Sequence, residues 1–147
     1  MLANIAIGCL LVLITTVIHA AAMVLALWAS KVAHVEQWDK RSRFTRMSVV
    51  SALVLLMFMA AVVEAVVWAA AYLIVDAMPD AEQAMYFSTV TYTTLGFGDV
   101  TIEGQWRLLS AFQAANGIIM FGWTTALIVA AVQRIYFPGP ARDSDRR

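Results

Sequence analysis

Three apolar runs, each long enough to cross a bilayer and separated by short polar segments, constrain this chain more than any other feature. Leu2 to about Ser30 carries no charge. Since ~20 apolar residues span the hydrocarbon core, this run crosses with tilt. Met47 to Val75 and Trp106 to about Gln133 form the second and third runs. A segment in lipid must satisfy its own backbone groups, and runs of this length do so as helices. Composition agrees: 62% of the 147 residues are hydrophobic and mean hydropathy is +0.76, well above soluble domains. The expected fold class is an all-α membrane protein with three transmembrane helices. The first is expected to be an uncleaved helix, since Met1 to Gly8 holds no Lys or Arg and the run is too long for a signal peptide. Cys9 reads as a small buried hydrophobe with no disulfide partner in the chain.

Charge is balanced overall but separated along the chain. Lys31, Lys40, Arg41, Arg43 and Arg46 outnumber Glu36 and Asp39 in the connection 31–46, and a short basic loop stays cytoplasmic. Trp28 and Trp38 flank it as interface anchors. Lys40, Arg41, Arg43 and Arg46 suit anionic lipid headgroups, although a role in setting topology accounts for them as well. Between Asp76 and Gln105 stand Asp76, Asp80, Glu82, Asp99 and Glu103 without one Lys or Arg, which places that segment outside. Three crossings then put the amino terminus outside and the arginine-bearing tail 135–147 in the cytoplasm, in a cell membrane. The outer acids also concentrate cations locally.

The outer segment does not simply turn back. Pro79 ends a turn, and Asp80 followed by Ala-Glu-Gln reads as an N-cap with acid in the first turn. The helix it starts, 80–93, is too short to cross and must be re-entrant. Its carboxyl end presents the negative pole of the helix dipole, which favours a cation nearby.

That end runs into the stretch Thr91-Tyr-Thr-Thr-Leu-Gly-Phe-Gly-Asp99. Gly96 and Gly98, one residue apart, let alternate positions take φ > 0, so that consecutive carbonyls turn toward one axis. The Thr94 hydroxyl and the carbonyls of Thr94, Leu95, Gly96 and Phe97 could then form oxygen layers that replace the water around a dehydrated cation. Four such loops close each layer. The segment Thr94-Leu95-Gly96-Phe97-Gly98-Asp99 resembles the Thr-Val-Gly-Tyr-Gly-Asp signature of tetrameric potassium channels. The similarity extends over about Ser48 to Arg134, as outer helix, pore helix, filter and inner helix. It implies a homotetramer around a central pore, filter sites at Thr94, Leu95, Gly96, Phe97 and Gly98, and support from Thr93 and Asp99. Leu95 replaces a valine and Phe97 a tyrosine. Phe97 lacks the hydroxyl that in the tyrosine version bonds to pore-helix aromatics.

The chain then divides into a first helix, 1–30, a basic loop, 31–46, a pore domain, 47–134, and a tail. Within the pore domain the outer helix is 47–75, the pore helix 80–93, the filter 94–99 and the inner helix 106–134. The helix 1–30 is additional to the two-helix pore unit. Glu64 must face protein or water, because a carboxylate exposed to lipid is costly. It is expected to bond to a pore-helix Thr or Tyr and support the filter, or to fix helix packing alone. His19 is expected to bond a neighbouring helix as a neutral side chain, with pH sensing as the alternative. Gly117 falls where the resemblance places a hinge, with close helix packing as the alternative, and close packing is the expected role of Gly122. Two inner-helix faces compete for the cavity. Gln113, Asn116, Met120 and Thr124 share a polar stripe, while family spacing directs Ile118, Phe121 and Thr125 inward. The faces differ by about a quarter turn.

No span repeats arginine every third residue, and the sequence holds no nucleotide or catalytic motif, so neither a voltage sensor nor an enzyme is expected. The expected function is passive K⁺ conduction with no organic cofactor. The rivals are a weakly selective monovalent cation channel and a non-conducting membrane subunit of a larger complex.

Overall fold

A computed structural model describes residues 1–32 and 42–137. Four helices account for nearly all of it: α1 (Leu2–Val32), α2 (Arg43–Ile74), α3 (Ala81–Tyr92) and α4 (Arg107–Tyr136), the last entered through a 3₁₀ turn, Gly104–Trp106. Among the described residues there is no strand. Three of these elements are long and apolar enough to cross a membrane, over Leu2–Ala29, Arg43–Ile74 and Gly104–Tyr136. The chain is a multi-pass membrane protein.

The ends of α2 and the start of α3 follow from local chemistry. The Ser42 side chain accepts the Thr45 N–H at 3.2 Å and caps α2. The helix therefore starts at Arg43 rather than in a loop lasting to 46, and Arg43 and Arg46 lie in its first turn. At its other end Asp76 takes a left-handed φ of 56°, and the Ala77 N–H reaches back to the Tyr72 carbonyl at 2.8 Å, a closure common at helix carboxyl ends. Pro79 prevents the helix from resuming. Asp80 then accepts the Gln83 N–H at 2.9 Å and caps α3, with Glu82 in the first turn. Lys40 and Arg41 lie outside the described residues, as does 138–147.

Helices α1 and α3 each lie against both α2 and α4, which also meet each other. The buried core gathers Trp68, Tyr72, Ala84, Phe87, Tyr92, Leu109 and Met120 around α3, so one face of the short helix packs against protein while Glu82, Tyr86 and Thr89 stay exposed. On α1 the buried residues are Asn4, Gly8, Leu11, Thr15 and His19, spaced as one helical stripe. The opposite face, with Leu10, Leu13 and Val17, is exposed and suits lipid. Cys9 also lies on exposed surface rather than in the core.

Candidate functional site

Beyond α3 the chain leaves helical geometry in an ordered way. Thr93 caps α3, its N–H and hydroxyl both returning to the Thr89 carbonyl at 3.0 and 2.9 Å. The Thr94 N–H bonds Thr91 O, and the Leu95 and Gly96 N–H groups share Val90 O at 3.0 and 3.4 Å. These bonds anchor the amide side of the loop onto α3. Thr94, Gly96 and Gly98 then take φ of 61°, 56° and 80°, while Leu95 and Phe97 keep negative φ. In a strand, carbonyls alternate between sides. Here every second residue has left-handed φ instead, so the loop is not a strand. For a threonine, left-handed φ costs ~1–2 kcal/mol, so the structure around Thr94 must impose it. No backbone hydrogen bond among the described residues is received by the carbonyls of Thr94 through Gly98. All five residues are exposed on the single subunit, Leu95 and Phe97 by 57% and 66%.

The support behind this loop is polar and buried. Tyr86 donates to Asp99 Oδ2 at 2.6 Å, tying the middle of α3 to the far end of the loop. That bond holds the Asp99 carboxyl below its ordinary value. Deeper, Gln113 of α4 donates to the Ser88 hydroxyl and carbonyl at 2.7 and 3.1 Å and accepts from Tyr72 at 2.7 Å. Ser88 passes its own proton to Ala65 O at 2.6 Å. One amide thus joins α2, α3 and α4 with its Oε1 and Nε2 both used. Tyr92, the last residue of α3, donates to Glu64 Oε2, and His19 Nδ1 lies 2.9 Å from Glu64 Oε1. The contact between α4 and the end of α3 is made at Gly117, where a Cβ would lie 1.9 Å from the Tyr92 carbonyl oxygen.

A family model described as an ion channel matches residues 50–134, more than half of the chain and the whole of α3, the loop and most of α2 and α4. The chain belongs to the ion channel family. No curated protein and no solved structure matches it.

In this ion channel the matched segment contains the loop and its supports, and α1 precedes it. Several expected residues meet there. Thr93 and Asp99 flank the loop, and the Glu64 bond to α3 runs to a tyrosine, Tyr92. Glu64 is also the carboxylate partner of His19, a pairing between residues 45 apart in the chain. The polar stripe on α4 proves to be a packing seam. Gln113, Asn116 and Met120 are buried inside the subunit, Asn116 donating to Thr15 of α1 at 2.9 Å, and Thr124 meets His19 at 3.1 Å. The Gln113 amide is satisfied at both ends by neighbouring helices and has no need of a wet cavity, whereas the buried Asn116 Oδ1 has no hydrogen-bond partner among the described residues. Ile118, Phe121 and Thr125 lie on exposed surface instead. Gly117 makes a close contact, the alternative to a hinge at that position, and Gly122 has nothing within 4 Å of its would-be Cβ within this chain. Tyr72, Tyr86, Ser88 and Tyr92 do not stand out in the sequence as supports. Their signal is polarity in segments otherwise apolar, which requires buried partners.

Proposed function

We propose that this ion channel is a homotetramer that conducts K⁺ selectively down its gradient, with one loop per subunit contributing to a central filter. The observation that carries the reading is the left-handed φ at Thr94, Gly96 and Gly98 in a loop whose carbonyls receive no backbone hydrogen bond. K⁺ exchanges its hydration water for the Thr94 hydroxyl and the main-chain oxygens of Thr94, Leu95, Gly96 and Phe97, four copies closing each layer. Gly98 supplies the last left-handed turn, and Thr93 and Asp99 hold the two ends of the loop. The carboxyl end of α3 adds the negative pole of its dipole at the loop. Ile118, Phe121 and Thr125 line the cavity beneath it. The acid-rich segment 76–105 faces outside, and the basic residues around the start of α2, Arg43 and Arg46 with Lys40 and Arg41, hold that end in the cytoplasm beside anionic headgroups.

The test is K⁺-dependent flux in liposomes holding the purified chain, beside Gly96→Ala. Gly96 has φ of 56° and open space around its would-be Cβ, so alanine perturbs the dihedral and little else. Flux from the native chain and its loss in the variant are expected. A silent native chain, or a variant that conducts like it, would refute the filter.

A further inference from the structure

Helix α1 precedes the segment that carries the family match, and it brings one buried imidazole to the loop's support. His19 is 2% exposed, with Nδ1 2.9 Å from Glu64 Oε1 and Nε2 3.1 Å from Thr124 Oγ1, and the Trp123 ring lies beside it at 5.5 Å. Glu64, fully buried, receives the Tyr92 hydroxyl on its other oxygen. Thr124 on α4, His19 on α1, Glu64 on α2 and Tyr92 on α3 therefore form one relay across all four helices. Both ring nitrogens and both carboxylate oxygens are engaged. A carboxylate oxygen only accepts, so Nδ1 carries the proton toward Glu64, and the Thr124 hydroxyl donates to Nε2.

The consequence lies at Tyr92, which stands two residues before Thr94 with its carbonyl against Gly117. A buried carboxylate keeps a fixed orientation only while its oxygens are bonded. Without His19, Oε1 loses its partner and the carboxylate turns, taking the Tyr92 hydroxyl with it.

We propose that His19 is a positioning residue for the filter: it orients Glu64, which fixes Tyr92 and so the start of the Thr94–Gly98 loop. This rests on reading that loop as a K⁺ filter. The test records reversal potentials in mixed K⁺ and Na⁺ for the intact chain in planar bilayers, comparing wild type with H19N, H19Q and H19L. Asparagine puts an amide nitrogen near the place of Nδ1, and glutamine near that of Nε2. The K⁺/Na⁺ permeability ratio is expected to stay within about twofold in H19N and to fall about tenfold in H19Q and H19L, the size of one buried hydrogen bond to a charged group. H19L placed on Y92F should add nothing to the loss in Y92F alone.

A wild type that does not discriminate K⁺ fails the filter reading itself. A selective wild type matched by H19Q and H19L overturns the proposal alone, as do equal losses in H19N and H19L, which mark His19 as packing only. Where H19L fails to assemble by size-exclusion chromatography, the H19N and H19Q comparison decides.

Discussion

Gly117→Ala separates a packing contact from a hinge. An added Cβ would lie 1.9 Å from the Tyr92 carbonyl oxygen and 2.9 Å from its carbon, where real Cβ atoms essentially never come within 3.0 Å. The obstacle is backbone and cannot rotate away, so α4 and the end of α3 must part by about 1 Å. Overpacking of this kind costs ~1–3 kcal/mol, and the gain in helix propensity from Gly to Ala offsets roughly 1 kcal/mol of it. The net expectation is a loss of about 0–2 kcal/mol, with the displacement delivered two residues before the filter. Gly122→Ala is the control, because its Cβ meets nothing within 4 Å in the subunit. The assay is thermal unfolding in detergent, paired with K⁺ flux in liposomes. G117A should unfold at lower temperature and conduct less, and G122A should match wild type in both. A hinge at Gly117 predicts altered open probability at unchanged stability, and that result would refute the packing argument.

The Tyr86 hydroxyl holds the Asp99 carboxyl below its ordinary value of 3.8. A depressed carboxylate contributes stability above its unfolded value and loses it as pH falls through the folded one, so Asp99 in wild type keeps its charge to lower pH than a carboxyl without this bond. Tyr86→Phe removes the bond, and acid should then reduce conductance at a higher external pH than in wild type; coincident acid titrations would exclude the contact as a support. Gln113→Leu leaves the Tyr72 and Ser88 hydroxyls short of a buried partner, and should destabilise the subunit by roughly 1 kcal/mol. Chemical denaturation in detergent checks this, and a more stable variant would show that the network contributes nothing.

Much of the layout was legible because a few residue types have narrow options in lipid. Asp80 beside Pro79 had little else to do but cap a helix, and Gly96 with Gly98 announced left-handed backbone. Thr94 did not, since a β-branched residue at φ of 61° contradicts its own preference and is imposed by the bonds around it. Glu64 revealed that it needed a partner but not which one. His19 lies on a helix apolar on every side, where no sequence pattern tells the buried stripe from the lipid face. The stripe with Gln113 and Asn116 was ambiguous for a related reason: amides suit a wet cavity and a buried network equally well. Only the partners Tyr72, Ser88 and Thr15, on three other helices, distinguish the two. Gly117 and Gly122 likewise differ in what stands opposite them, a property of the tertiary structure alone.

The central claim is that main-chain oxygens of Thr94 to Phe97 replace the hydration shell of K⁺. Reversal potentials of the native chain in planar bilayers, with K⁺ on one side and Na⁺ on the other, test it most directly. The account predicts a potential close to that of a K⁺ electrode. A potential near zero in the same gradient, with current flowing, would contradict it.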